Sequence, residues 1–164
     1  GKPGHFIGHL QTNKVKKVVG RASLIQSVDS EHLALAIEKE AAKQGLQQDI
    51  LLEVNIGEES SKSGVNADGL WALMESLCET TPHLHIRGLM AIPPADASED
   101  ETRAFFAKMR GLYEEAAKRY AGSVEMKYLS MGMSGDYALA IAEGANIVRI
   151  GTAIYGPRDY SMKK

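Results

Sequence analysis

Short apolar runs alternate with amphipathic helical stretches along the whole chain, and this alternation restricts the fold more than any other feature. The runs at 4–8, 24–28, 50–56, 85–92, 126–131 and 146–150 are brief and rich in β-branched residues, the pattern of strands covered on both faces. Between them, Leu70, Leu73, Met74, Leu77 and Cys78 recur at i, i+3, i+4, i+7 and i+8, with Glu75 and Glu79 on the other side. That spacing predicts a helix packed by one face, with Cys78 in the core. A longer helix, from about Glu99 to Tyr120, carries Phe105, Met109, Leu112, Tyr113, Ala116 and Tyr120 on one side and stops near Gly122. Ser30 is placed to cap a helix with Leu33, Ile37 and Ala41 that ends near Gly45. Gln11 to Val19 and Tyr137 to Glu143 read as shorter helices.

A repeated β-then-α order implies a parallel sheet with right-handed crossovers, either an open doubly wound sheet or a closed (β/α)8 barrel. Periodicity does not separate the two. A complete barrel takes about 250 residues and eight strands. Six strands in 164 residues are therefore expected to be the C-terminal six βα units of a TIM barrel, one partial domain over residues 1–164. Opening on Gly1 and entering a strand-like run at His5-Phe6-Ile7-Gly8 fits a start inside a domain. An open barrel exposes two strand edges, so a piece of this length is expected to self-associate, whereas a full-length barrel is expected to be monomeric.

Composition excludes several classes of partner. A net charge of −2 gives no electrostatic basis for binding nucleic acid or a membrane surface, and no apolar run approaches the 18 or so residues of a span. Cys78 is the only cysteine, so no intramolecular disulfide forms and a reducing cytoplasm is the expected location. His83 and His85 share a strand face without a third ligand nearby, which argues against a metal. His5 and His9 share a face by the same rule and read as polar lining of the barrel.

The chemistry concentrates at the C-terminal end. Leu129-Ser130-Met131-Gly132-Met133-Ser134-Gly135-Asp136 and Asn146-Ile147-Val148-Arg149-Ile150-Gly151-Thr152-Ala153 each run from a strand into a glycine- and hydroxyl-bearing loop. Glycines let backbone N–H groups approach an anion, and Ser130, Ser134 and Thr152 add hydroxyl donors. The helix start beside Ser134–Asp136 adds a positive dipole end. Two such loops after the last two strands match the place where (β/α)8 barrels bind phosphate. Arg149 lies two positions before Gly151 and so on the same face of the pleat. It reads equally as a guanidinium facing a ligand or as one paired to a carboxylate within the barrel.

His5-Phe6-Ile7-Gly8-His9-Leu10-Gln11-Thr12-Asn13-Lys14, Val54-Asn55-Ile56 with Ser61-Lys62-Ser63-Gly64, Arg87-Gly88-Leu89-Met90-Ala91-Ile92-Pro93, Ser130-Met131-Gly132-Met133-Ser134 and Arg149-Ile150-Gly151-Thr152-Ala153-Ile154-Tyr155-Gly156 occur in that order. Together they resemble the pyridoxal-phosphate homeostasis protein family. The resemblance implies an alanine-racemase-like barrel that holds pyridoxal 5′-phosphate and buffers or delivers it inside the cell without catalysis. It further implies that Ser130, Ser134, Gly151 and Thr152 hold the phosphate, that Met133 lends its backbone, and that Arg149 faces the pyridine nitrogen.

One departure stands against the resemblance. Family members anchor the cofactor through a lysine on the first barrel strand, and no matching segment occurs here. Lys127 begins a strand, and Lys14, Lys16 and Lys17 belong to a helix. Lys62 follows a strand end but reads as a solvated loop lysine. A racemase of the same fold would need that lysine and a tyrosine from an additional β domain, whereas only eight residues follow Gly156. A sugar-phosphate barrel enzyme with Glu58 or Glu59 as base is the other alternative, although both glutamates read as solvated loop charges.

Overall fold

The computed structural model describes residues 4–58 and 64–149. Six strands, β1 (His5–Phe6), β2 (Leu24–Val28), β3 (Gln48–Glu53), β4 (Leu84–Met90), β5 (Tyr128–Met133) and β6 (Ile147–Arg149), form one sheet in the order β1-β2-β3-β4-β5-β6. Every neighbouring pair is parallel. A doubly wound sheet reverses its strand order at a switch point; this one does not, so the winding is that of a barrel. The six strands constitute a partial barrel wall with β1 and β6 as the two edges among the described residues.

The crossover helices are α1 (Val15–Val18), α2 (Glu31–Gln44), α3 (Ala67–Thr80), α4 (Glu99–Arg119) and α5 (Tyr137–Ala142). Their apolar faces join outward residues of the strands, among them Ile25, Ile50, Leu52, Leu89 and Leu129, in one large core. A separate small cluster of Leu24, Leu51 and Met90, with Ile92, Tyr128 and Ile147 beside it, marks the opposite, concave face. The alternation of side chains along each strand divides the two. Each fully buried Ile, Leu or Phe of the larger core contributes about 1.5–3 kcal/mol.

Local chemistry explains the helix boundaries. Ser30 accepts from Leu33 N at 3.1 Å to start α2, and Gly45 ends it at φ 70°. Ser98 and Glu101 form a reciprocal capping box at the start of α4. The segment read as a helix over Gln11 to Val19 is a 3-10 turn, Thr12–Lys14, running into α1.

Three readings of the helices and strands shift. The buried line of α4 runs through Thr102, Phe106, Met109 and Ala116, while Phe105, Leu112, Tyr113 and Tyr120 flank it. Two adjacent phenylalanines stand 100° apart on a helix, and only packing decides which turns inward. Cys78 is exposed, not in the core. Leu70, Leu73, Met74 and Leu77 complete the buried stripe of α3, and Cys78 falls past its margin in the last turn. The third strand starts at Gln48, which pairs with Leu84, and ends at Glu53. Beyond it Val54 forms an isolated bridge to Val65, while its N–H donates to the Met90 carbonyl at 2.8 Å.

Candidate functional site

The strand order places the ends of β5 and β6 side by side. Ser130 registers with Ile147 and Met133 with Arg149. Ile147 belongs to the concave-face cluster, so Arg149, two residues on, lies on that same face. The structure therefore brings Met133 and Arg149 together at the C-terminal rim, with Ser134 next to them in the chain. Gly151, Thr152, Lys62 and Glu59 lie outside the described residues.

The loop after β5 is held in a tight turn. Gly132 has φ 106°, and a Cβ there would come within 2.6 Å of the Ala140 methyl on α5. Only glycine permits strand and helix to meet this closely. The Met133 N–H donates to Asp136 Oδ1 at 2.7 Å, and Asp136 N–H returns a bond to the Met133 carbonyl at 3.0 Å. The strand-end N–H is thus held by a carboxylate oxygen of the same loop. Ser134 and Gly135 are exposed around it. The dipole contribution foreseen from the following helix is small, because α5 spans only six residues.

Ser130 is placed differently from Ser134. It is buried in the wall, and its hydroxyl donates to Gln26 Oε1 at 2.6 Å. Gln26 in turn bonds His5 Nδ1 at 2.8 Å. Burial lowers the His5 pKa from its ordinary value, and a neutral imidazole accepts this amide proton. His5 therefore lines the concave face, as read from the sequence. His9 lies beyond the end of β1 and is exposed. The role of Gln26 was not legible in advance, because its partner Ser130 is 104 residues away.

A cleft of about 650 Å³ borders the loop, lined by Ile92, Pro93, Thr102, Met133, Ser134 and Asp136 among others. Its size is that of a small-molecule site. A second hollow, of about 540 Å³, lies at the opposite end of the strands between the ends of α3 and α4. There Arg87 is matched by Glu125 at 2.9 Å and Asp49 at 3.5 Å, leaving little net charge for a ligand. In barrels that face serves stability and the C-terminal rim serves chemistry. His83 is bound to Glu38 at 2.7 Å, and among the described residues no group of three or more His, Cys, Asp or Glu is arranged to hold a metal. Glu58 is an exposed rim residue 4.0 Å from Lys108. Lys127 precedes β5 at the end away from the rim. At the rim the Met133 N–H held by Asp136, the exposed Ser134 and the concave-face Arg149 lie near one another.

Several known proteins are similar to this chain. Residues 2–159 match the family described as alanine racemase, N-terminal domain. A pyridoxal phosphate homeostasis protein of Aquifex aeolicus is 47% identical over 95% of this chain and 67% of its own length. One of the same name from Vibrio cholerae is 40% identical over 96% of this chain and 65% of its own. The chain thus spans about two thirds of the length of these relatives. PipY of Synechococcus elongatus, solved without pyridoxal phosphate, superposes with a TM-score of 0.86 at 36% identity, over 94% of this chain and 71% of that one. The same protein solved with pyridoxal phosphate bound gives 0.82 at 35%, over 94% and 70%. An alanine racemase of Clostridium difficile shares the fold at 0.69 and 15% identity, over 93% of this chain and 41% of that one. The chain belongs to the alanine racemase N-terminal domain family and, within it, to the pyridoxal phosphate homeostasis proteins.

Proposed function

We propose that this chain holds pyridoxal 5′-phosphate at the C-terminal rim of its barrel and serves intracellular homeostasis of that cofactor without catalytic turnover, in the cytoplasm and as part of a monomeric protein. The observation that carries the reading is the juxtaposition of Met133 and Arg149 at the ends of two neighbouring strands. Met133 N–H and the Ser134 hydroxyl grip the phosphate with Gly151 and Thr152. Ser130 acts from beneath, through its bond to Gln26. For Met133 to serve, the Asp136 carboxylate must give up the N–H that it holds.

When bound, the cofactor supplies an aldehyde and an electron-withdrawing ring. Arg149 is charged at any ordinary pH, so a guanidinium placed against the ring nitrogen keeps that nitrogen unprotonated and the ring a weak electron sink. Relatives bearing the homeostasis name support the carrier reading over a racemase.

The test is a titration of the purified chain with pyridoxal phosphate, followed by absorbance. Saturable binding that Arg149→Ala and Thr152→Ala each weaken is expected; unchanged binding in both variants would sink the site. Interconversion of amino-acid enantiomers by the loaded chain would overturn the carrier reading.

A further inference from the structure

A line of hydrogen bonds crosses the hollow of the sheet beneath the rim. Gln26 on β2 has no exposed surface. Its amide oxygen accepts from Ser130 on β5 at 2.6 Å and its amide nitrogen donates to His5 Nδ1 on β1 at 2.8 Å. Strands β3 and β4 separate β2 from β5 in the sheet. The Gln26–Ser130 bond is therefore a chord across the concave face and not part of a ladder. It ties together two walls that share no backbone pairing, and its β5 end lies three residues before Met133. At the other end, accepting at Nδ1 places the imidazole proton on Nε2.

We propose that Gln26 is a positioning residue of the rim site: its strut holds β5 so that Met133 and Ser134 are presented to the ligand, and holds His5 in the Nε2–H tautomer. The first half rests on the pyridoxal-phosphate reading; the second does not. Ser130 and His5 are both polar groups facing a mainly apolar cluster, and removing the amide leaves each of them without its partner. Linked buried bonds of this kind lock geometry because each fixes the orientation of the next.

The experiment uses the whole chain with ¹⁵N-labelled histidine and, separately, pyridoxal phosphate. In the wild type, His5 is expected to show a protonated Nε2 and a bare Nδ1. Gln26→Leu should mix the tautomers and weaken pyridoxal phosphate about tenfold, the effect of one lost hydrogen bond. Gln26→Glu offers an acceptor at both ends. It should recover most of the affinity while moving the His5 proton onto Nδ1, a change that mere loss of packing would not produce. Ser130→Ala cuts one end only and should weaken the ligand while leaving the His5 tautomer as in the wild type; it decides the affinity half if Gln26→Leu does not fold. A proton on Nδ1 in the wild type would overturn the tautomer half. Wild-type affinity in a folded Gln26→Leu chain or in Ser130→Ala would overturn the positioning half. A wild-type chain that fails to bind pyridoxal phosphate would overturn the cofactor reading and the positioning half with it, while the nitrogen spectra still decide the tautomer.

Discussion

Replacing Gly132 with alanine tests how the rim loop is built. At φ 106° the residue lies where side chains are disfavoured, and an added methyl would stand 2.6 Å from Ala140 Cβ and 3.3 Å from Val148 Cγ1. The backbone contribution is about 1–2 kcal/mol and the overpacking between strand and helix about 1–3 kcal/mol, together about 2–5 kcal/mol. Gly45 is the internal control. It also has positive φ, 70°, but nothing stands within 4 Å of its added methyl. Gly45→Ala should therefore cost about 1 kcal/mol, the backbone contribution alone. With a urea slope of about 2 kcal/mol per M, the two unfolding midpoints should differ by about 1 M. Gly132→Ala should also weaken pyridoxal phosphate, because α5 must move away from β5, whereas Gly45→Ala should leave binding intact. Equal costs for the two substitutions would refute the claim that close approach of α5, and not loop conformation alone, demands glycine at Gly132.

Three further outcomes are expected. Ser98→Ala removes one half of the capping box on α4 and should cost about 1 kcal/mol by urea unfolding, with ligand affinity unchanged; a stability change near zero would discount the cap. His5 has a folded pKa below its ordinary value, so below about pH 6.5 the unfolded chain takes up a proton that the folded chain refuses. The stability that His5 contributes is then complete above that pH and lost as pH falls through the window, and urea midpoints should drop less on acidification in His5→Gln than in the wild type. Burial, opposed by a Ser123 hydrogen bond and reinforced by Glu75 and Glu79, raises the Cys78 thiol; despite its exposure it should alkylate more slowly at neutral pH than a free thiol does, and faster reaction would contradict this.

The fold was legible where local pattern decides it. Apolar runs and stripes located the six strands and five α-helices of the described residues, because burial on one or two faces leaves a period in the chain. Periodicity left the winding open, since a doubly wound sheet and a barrel impose the same period; chain length and the resemblance carried by the five sequence blocks already pointed to the barrel, and the unbroken strand order shows it. Cys78 shows the limit of a stripe, whose width is set by the length of sheet beneath it. Of the two glycine-bearing loops read from the sequence, the one after β5 lies among the described residues, and its turn at Gly132 is a local motif. Asp136 on the Met133 N–H is local too, but an aspartate before a helix reads first as an N-cap. Gln26 carried no signal at all: it stands in an apolar run, its partner His5 lies on the neighbouring strand β1, and its partner Ser130 on β5 is brought near only by the curvature of the sheet.

If the loops after β5 and β6 grip a phosphate, pyridoxal 5′-phosphate and pyridoxal should bind this chain with very different affinity. The two ligands share ring, aldehyde and ring nitrogen and differ only in the group assigned to Met133, Ser134, Gly151 and Thr152. Titrated into the same chain under the same conditions, pyridoxal should bind at least about a hundredfold more weakly, the loss of charge-assisted hydrogen bonds worth about 3 kcal/mol in all. Equal affinity for the two would show that these loops do not grip the phosphate.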